Sequence, residues 1–143
     1  MTSEVPPPLP GDWLTALDVG SGPWNMGVLW YNRAEGRIAL HVQPQHCNAY
    51  GDLHGGAMAT FVDGQAAAVL DYHANDPSGH TPTISLSIDY IGPAPCGSWL
   101  VADVTMLRAT RTMIFTQAVV TMDGQVVARS NAIYRNVPGK VPQ

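Results

Sequence analysis

The hydrophobic pattern changes its period twice along the chain. Val28–Tyr31 is a short apolar run that reads as a strand, and Asn32–Gly36 is a polar turn. Arg37–Gln43 sets Ile38, Leu40 and Val42 against Arg37, Ala39 and His41, the two-residue period of a second strand. Pro44–Gly51 is rich in turn residues. From Leu53 to about Ala74 there is no Pro, and Met58, Phe61, Val62, Gln65, Val69 and Tyr72 or His73 fall at helical spacing. That spacing predicts one helix of about five turns. Asp63 is its only ionised side chain between His54 and Leu70. The helix is therefore apolar nearly all round, a pattern that belongs in an interior. Asn75–Thr81 reads as a loop, broken by Pro77 and Gly79.

The two-residue period then returns. Ile84, Leu86, Ile88 and Tyr90 alternate with Thr83, Ser85, Ser87 and Asp89. Gly92-Pro93-Ala94-Pro95 stops that strand. Trp99–Leu107, Met113–Met122 and Val126–Tyr134 supply three more, the last two joined by the hairpin signal Asp123-Gly124. Two strands, one buried helix and four strands make an α+β chain with an antiparallel sheet. A helix apolar on all sides is covered if the sheet curves around it. Met1–Pro10, with its prolines, reads as a loose tail, and Trp13–Leu17 as a short helix ended by Gly20, Gly22 and Pro23. The expected organisation is a tail with a short helix over 1–24, one domain over 25–136 and a C-terminal tail over 137–143.

Composition adds constraints. The 143 residues suffice for one domain with a core. Charged residues are 13% of the chain, about half the usual share, so part of the surface is expected to be buried against other copies of the chain. A net charge of −4 with only seven Lys plus Arg gives no basic stripe for nucleic acid. No apolar run approaches the length of a membrane span, and the N-terminus lacks the pattern of a secretory signal, so a cytoplasmic protein is expected. Cys47 and Cys96 do not suggest a disulfide scaffold and read as small hydrophobes or idle thiols in a reducing compartment.

Two features invite chemistry. The helical neighbours of Asp63 are Ala59, Thr60, Ala66 and Ala67, none of which neutralises a carboxylate. A buried carboxylate without a counter-charge costs several kcal/mol and is expected to have a raised pKa. The alternative is that Asp63-Gly64 breaks the helix and caps a second one. His54-Gly55-Gly56 stands at the start of the helix, where the first N–H groups lack internal partners and can hold an oxyanion or polarise a carbonyl. The alternative there is a plain turn with a capping histidine. Gly55 and Asp63 are eight residues apart, a rise of about 12 Å. A donor and a base acting on one carbonyl must both lie within about 3 to 4 Å of the reacting atoms. One helix does not supply both, whereas two copies lying antiparallel across a two-fold axis do.

The segment Asn48-Ala-Tyr-Gly51-Asp-Leu-His54-Gly55-Gly56-Ala-Met-Ala-Thr-Phe-Val-Asp63 resembles the signature of the hotdog-fold thioesterases, in the phenylacetyl-CoA thioesterase-like branch. The resemblance extends through Thr83–Ala94, Arg111-Thr112 and Asp123-Gly124, spanning roughly Asn25–Tyr134. It implies a hotdog fold, an antiparallel sheet wrapped around one long central helix, in a homodimer or a dimer-of-dimers tetramer. It also implies acyl-CoA as substrate, hydrolysed without metal or organic cofactor. By position, Asp63 would be general base or nucleophile and Gly55 would donate its N–H to the thioester carbonyl. Gly56 would belong to the substrate-binding turn. Asn48 and His54 would orient the carbonyl or its loop. Thr83, on the polar face of its strand, would help place the attacking water. Arg108 and Arg111, flanking a turn, fall where relatives carry a basic residue for the CoA phosphates. A non-catalytic acyl-CoA or lipid-binding module is the competing expectation, since the fold alone does not fix function. A hotdog dehydratase is a third, and the placement of His54 does not resemble the one such enzymes use. The acyl group is left open, because it depends on how Trp24, Trp30, Met58, Phe61 and the Asp76–Thr81 loop pack.

Overall fold

The computed structural model describes residues 7–15, 27–70 and 79–137. Its strands are β1 (Leu14–Thr15), β2 (Leu29–Asn32), β3 (Arg37–His41), β4 (Thr83–Tyr90), β5 (Trp99–Ala109), β6 (Met113–Met122) and β7 (Gln125–Arg135). They form one seven-stranded antiparallel sheet in the order β1-β2-β3-β5-β6-β7-β4. Between the register shifts, the inward positions of the strands follow the two-residue period. Leu29 and Tyr31 lie beside Leu40 and Ile38, which lie beside Leu100 and Ala102. The stripe continues through Val120, Ala128 and Ala132 to Leu86 on β4. The β6–β7 turn has Asp123 at φ 49° and Gly124 at φ 76°, the left-handed pair that a tight hairpin needs. Register shifts in β4, β5 and the β6–β7 ladder interrupt the regular pairing and add local twist.

Against the concave face lie two helical pieces, α1 (Gly55–Val62) and α2 (Gln65–Val69). Met58, Phe61 and Val62 of α1 and Gln65, Ala66 and Ala68 of α2 are buried against the sheet. The spacing predicts a single helix here; the chain instead breaks at Asp63-Gly64, as the alternative reading of that pair has it, with Gly64 rather than Asp63 as the N-cap of the second piece. Asp63 is the C-cap of α1, and Gly64 (φ −74°, ψ 4°) precedes α2. The Gly64 N–H goes to the Phe61 carbonyl, and the Tyr134 hydroxyl takes the Asp63 carbonyl at 2.7 Å. A poor helix former and a tertiary partner for the freed carbonyl together end the first helix. α2 ends where Leu70 turns extended. Tyr72 and His73, expected on the helix, lie outside the described residues.

Three further expectations change. Leu14–Thr15 pairs with Tyr31 and Trp30 as an edge strand, where a short helix was expected over Trp13–Leu17; Ala16 and Leu17 lie outside the described residues. Here strand pairing outweighs the weak helical propensity of a few residues. The helix is covered on one side only: Ala57, Ala59 and Thr60 are half-buried and Gly56 is exposed. Asp63, expected in the interior, is likewise half-buried within one chain.

Gln65 is the polar residue at the centre of the core, with 0% exposure. Its Nε2 donates to Ser130 Oγ at 2.9 Å, and its Oε1 accepts from Thr116 Oγ1 at 2.8 Å. Gln65→Ala opens a cavity and strands two hydroxyls, so it is expected to cost about 2 to 3 kcal/mol in urea unfolding. A cost below about 0.5 kcal/mol would mean that this network does not hold α2 to the sheet.

Candidate active site

The site is assembled along β4, the sheet edge that passes under both ends of α1. Asp63 closes α1, and its Oδ1 accepts a hydrogen bond from Thr83 Oγ1 at 2.7 Å. Thr83 reaches it because of an irregularity in the strand. Thr83 pairs with Tyr134 and Ser85 with Ile133, so Ile84 is the extra residue of a bulge. Strict alternation back from the core-facing Leu86 would turn Thr83 outward. The bulge instead places Thr83 with the buried Tyr134 on the helix side and leaves Ile84 53% exposed. The expected location of Thr83 on the polar face is thus corrected. Tyr134 holds the Asp63 main chain from below while Thr83 holds its carboxylate. Among the described residues no cation pairs with Asp63.

At the other end of α1, His54 is the N-cap, with an extended backbone (φ −64°, ψ 138°). Its Nδ1 accepts the Gly56 N–H at 2.9 Å, and its own N–H donates to the His46 carbonyl at 2.8 Å. His54 therefore shapes the helix start, and the Gly56 N–H is satisfied within the chain. The Gly55 N–H has no partner among the described residues and lies at the positive end of the helix dipole. Its carbonyl accepts the Tyr90 hydroxyl at 2.7 Å, and the Tyr90 ring covers the glycine.

The turn leading into this point is organised by Asn48. Its Oδ1 accepts the N–H groups of Tyr50 at 2.9 Å and Asp52 at 3.3 Å, while Gly51 supplies the left-handed residue at φ 83°. Asn48 is thus bound to its own loop.

Tyr90 and Tyr134 are the site residues that sequence reading missed. Each is a polar-tipped aromatic at an inward position of a strand that is otherwise aliphatic or small on that face. For Tyr134, buried at 2% exposure, this placement is a legible signal, since a buried tyrosine hydroxyl usually has a partner, whereas Tyr90 is 58% exposed and gives no such signal.

Arg108, near the end of β5, and Arg111, on the β5–β6 turn, are exposed, and neither forms an ion pair among the described residues. Thr83 is opposite Tyr134, Tyr134 opposite Ile114, and Ile114 opposite Ala109. The turn is therefore at the Asp63 end of the sheet, three strand spacings or about 14 Å across it. A groove of about 390 Å³ lies on the opposite, convex face, lined among others by Leu9, Arg37, Trp99 and Asp103. None of the residues above contributes to it. Among the described residues no group of three His, Cys, Asp or Glu is placed to hold a metal ion, and no helix is long and apolar enough to cross a membrane.

A curved antiparallel sheet wrapped on a helix that carries a glycine pair at its start and a carboxylate at its end is the hotdog fold. The profile of the thioesterase superfamily matches residues 50–128, more than half of the chain, and the chain belongs to that superfamily. Thioester hydrolysis is the chemistry that defines it.

Human acyl-coenzyme A thioesterase 13 is 30% identical over 92 residues, covering 63% of this chain and 64% of that protein. This chain thus matches slightly under two thirds of that relative's length. The PaaI protein from the phenylacetic acid degradation operon of E. coli superposes with a TM-score of 0.62 at 18% identity, over 74% of this chain and 75% of that one. A Streptococcus mutans protein bound to acetyl CoA superposes with a TM-score of 0.60 at 21% identity, over 75% of this chain and 86% of that one.

Proposed function

We propose that this chain hydrolyses acyl-CoA thioesters at a site shared by two copies of itself. The observation that carries the proposal is the Asp63 carboxylate, without a counter-charge among the described residues, fixed by Thr83 at one end of a helix whose other end offers the Gly55 N–H, which has no partner among those residues. Gly55 of one copy polarises the thioester carbonyl and stabilises the oxyanion that forms on it. Asp63 of the other copy takes a proton from water as that water attacks the carbonyl carbon. Collapse of the intermediate breaks the C–S bond, Asp63 returns its proton to the departing thiolate, and CoA and the free acid are released. A nucleophilic route, in which Asp63 itself attacks and water resolves the mixed anhydride, differs in one readout. Under single turnover in oxygen-18 water, only that route places label in the enzyme's carboxylate.

Dimerisation is supported by what one chain leaves uncovered. β4 is a sheet edge, with Ile84, Tyr90 and Ile91 exposed beside it. The outward side of α1 is only half-covered. A second copy placed against this edge covers both features and brings the two α1 helices side by side. Arg108 and Arg111 supply guanidinium groups suited to the CoA phosphates at the Asp63 end of the sheet.

The test is a panel of arylacetyl-, aroyl- and medium-chain acyl-CoAs, with release of CoA thiol as the readout. Turnover of at least one member is expected. Binding without turnover across the panel would favour a ligand-binding module instead. Within the site, Thr83→Val is expected to lower kcat/KM about tenfold, as one charge-assisted hydrogen bond is lost, and Thr83→Ser to restore it. Equal activity in both variants would remove Thr83 from the site.

A further inference from the structure

The two cysteines of the chain, far apart in sequence, meet beside the turn that leads into α1. Cys47 closes the 3-10 turn Pro44–His46 and bridges to Leu53, whose N–H donates to the Ala94 carbonyl at 2.8 Å. Asp52 bridges to Pro95, and the Cys96 N–H donates to the Gly51 carbonyl at 2.9 Å. The Gly97 N–H donates to the Val42 carbonyl at 2.7 Å, so the 42–53 and 94–97 segments are laced together by main-chain bonds. The thiols converge on consecutive carbonyls. Cys47 Sγ donates to the Gln43 carbonyl at 3.3 Å and Cys96 Sγ to the Val42 carbonyl at 4.0 Å. The two thiols are close enough for Cys96 to raise the Cys47 pKa. Nothing in the proposed hydrolysis uses either of them.

We propose that Cys47 and Cys96 form a reversible oxidation site, converted by a low-molecular-weight disulfide into an intrachain disulfide that fastens the Asn48–Asp52 turn to the 94–97 segment. Cys96 is exposed and Cys47 half-buried. Burial and the adjacent Cys96 thiol push the Cys47 thiol above its ordinary pKa, so the exchange starts at Cys96. The Cys96 thiolate attacks one sulfur of oxidised glutathione, forming a mixed disulfide and expelling one glutathione thiolate. The Cys47 thiolate then attacks Cys96 Sγ, forming the intrachain bond and expelling the second. Two protein thiols are oxidised, one glutathione disulfide is reduced to two thiols, and the two protein protons end on those thiols. The bridge closes a long loop, so it restricts the unfolded chain strongly.

The inference stands on this geometry and not on the thioesterase reading, and its test needs no substrate. The full-length protein is incubated with oxidised glutathione, and thiols are counted after denaturation. Both thiols are expected to disappear, the mass to fall by two hydrogens, and peptide mapping to recover Cys47 joined to Cys96 within one chain. The melting temperature is expected to rise by about 5 °C or more and to return with reductant. Cys47→Ser is expected to stop at a glutathione adduct on Cys96. A wild-type protein that also stops at that adduct, or that links only between chains, overturns the proposal. An unchanged melting temperature in the fully bridged protein overturns the claim that the bridge fastens the turn.

Discussion

Asp63→Asn is expected to lower kcat/KM for acyl-CoA hydrolysis by about 10³-fold and to leave the fold intact. The amide has the shape of the carboxylate, and its oxygen still accepts from Thr83 Oγ1, the contact made at 2.7 Å in the wild type. The main-chain bond from Tyr134 to the Asp63 carbonyl does not involve the side chain. An amide neither takes a proton from water nor attacks a thioester, so the loss reports chemistry and not collapse of the helix junction. The readout is CoA release across the acyl-CoA panel, together with a melting temperature within about 2 °C of wild type. A loss smaller than about tenfold would mean that Asp63 is not the reacting carboxylate.

Gly55→Pro is expected to reduce kcat/KM by about 10² to 10³ with little effect on folding. Proline lacks the N–H in question and is tolerated at the first position of a helix, where that N–H has no helical partner. The preceding residue must be extended, and His54 already is, at φ −64° and ψ 138°. A carbon added at Gly55 meets the Tyr90 ring at 3.5 Å, an ordinary contact. Gly55→Ala keeps the donor and is the control, expected within about threefold of wild type. If the proline variant were equally active, the oxyanion would have to be held by other groups.

The strands were legible because their determinants are local. Thr83–Tyr90 alternates cleanly, Asp123-Gly124 marks its hairpin unaided, and Met113–Met122 has the bounds expected. The helix break was harder to read, since the apolar spacing runs straight across Asp63-Gly64. What ends α1 includes the Tyr134 hydroxyl, supplied from the far end of the sequence. The orientation of Thr83 was illegible for a similar reason: the bulge at Ile84 exists only in the pairing of β4 with β7. His54-Gly55-Gly56 and Asp63 were visible as local oddities, but the roles of Tyr90 and the meeting of Cys47 with Cys96 depend on contacts between distant segments. Local chemistry could be read directly, whereas the surroundings of each group required the fold.

The shared site makes a demand that a site within one chain does not. Gly55 opens α1 and Asp63 closes it, about 12 Å along the axis, too far to act on one thioester from the same copy. Asp63→Asn and Gly55→Pro chains are therefore to be co-expressed with different tags, and the mixed dimer isolated by both. In that dimer one site joins the intact Gly55 of the first chain to the intact Asp63 of the second, while the other site carries both lesions. The account predicts recovery of about half the wild-type activity in the mixed dimer, from two parents that are each nearly inactive. Activity remaining at the level of the parents would contradict it and place both groups of each site in a single chain.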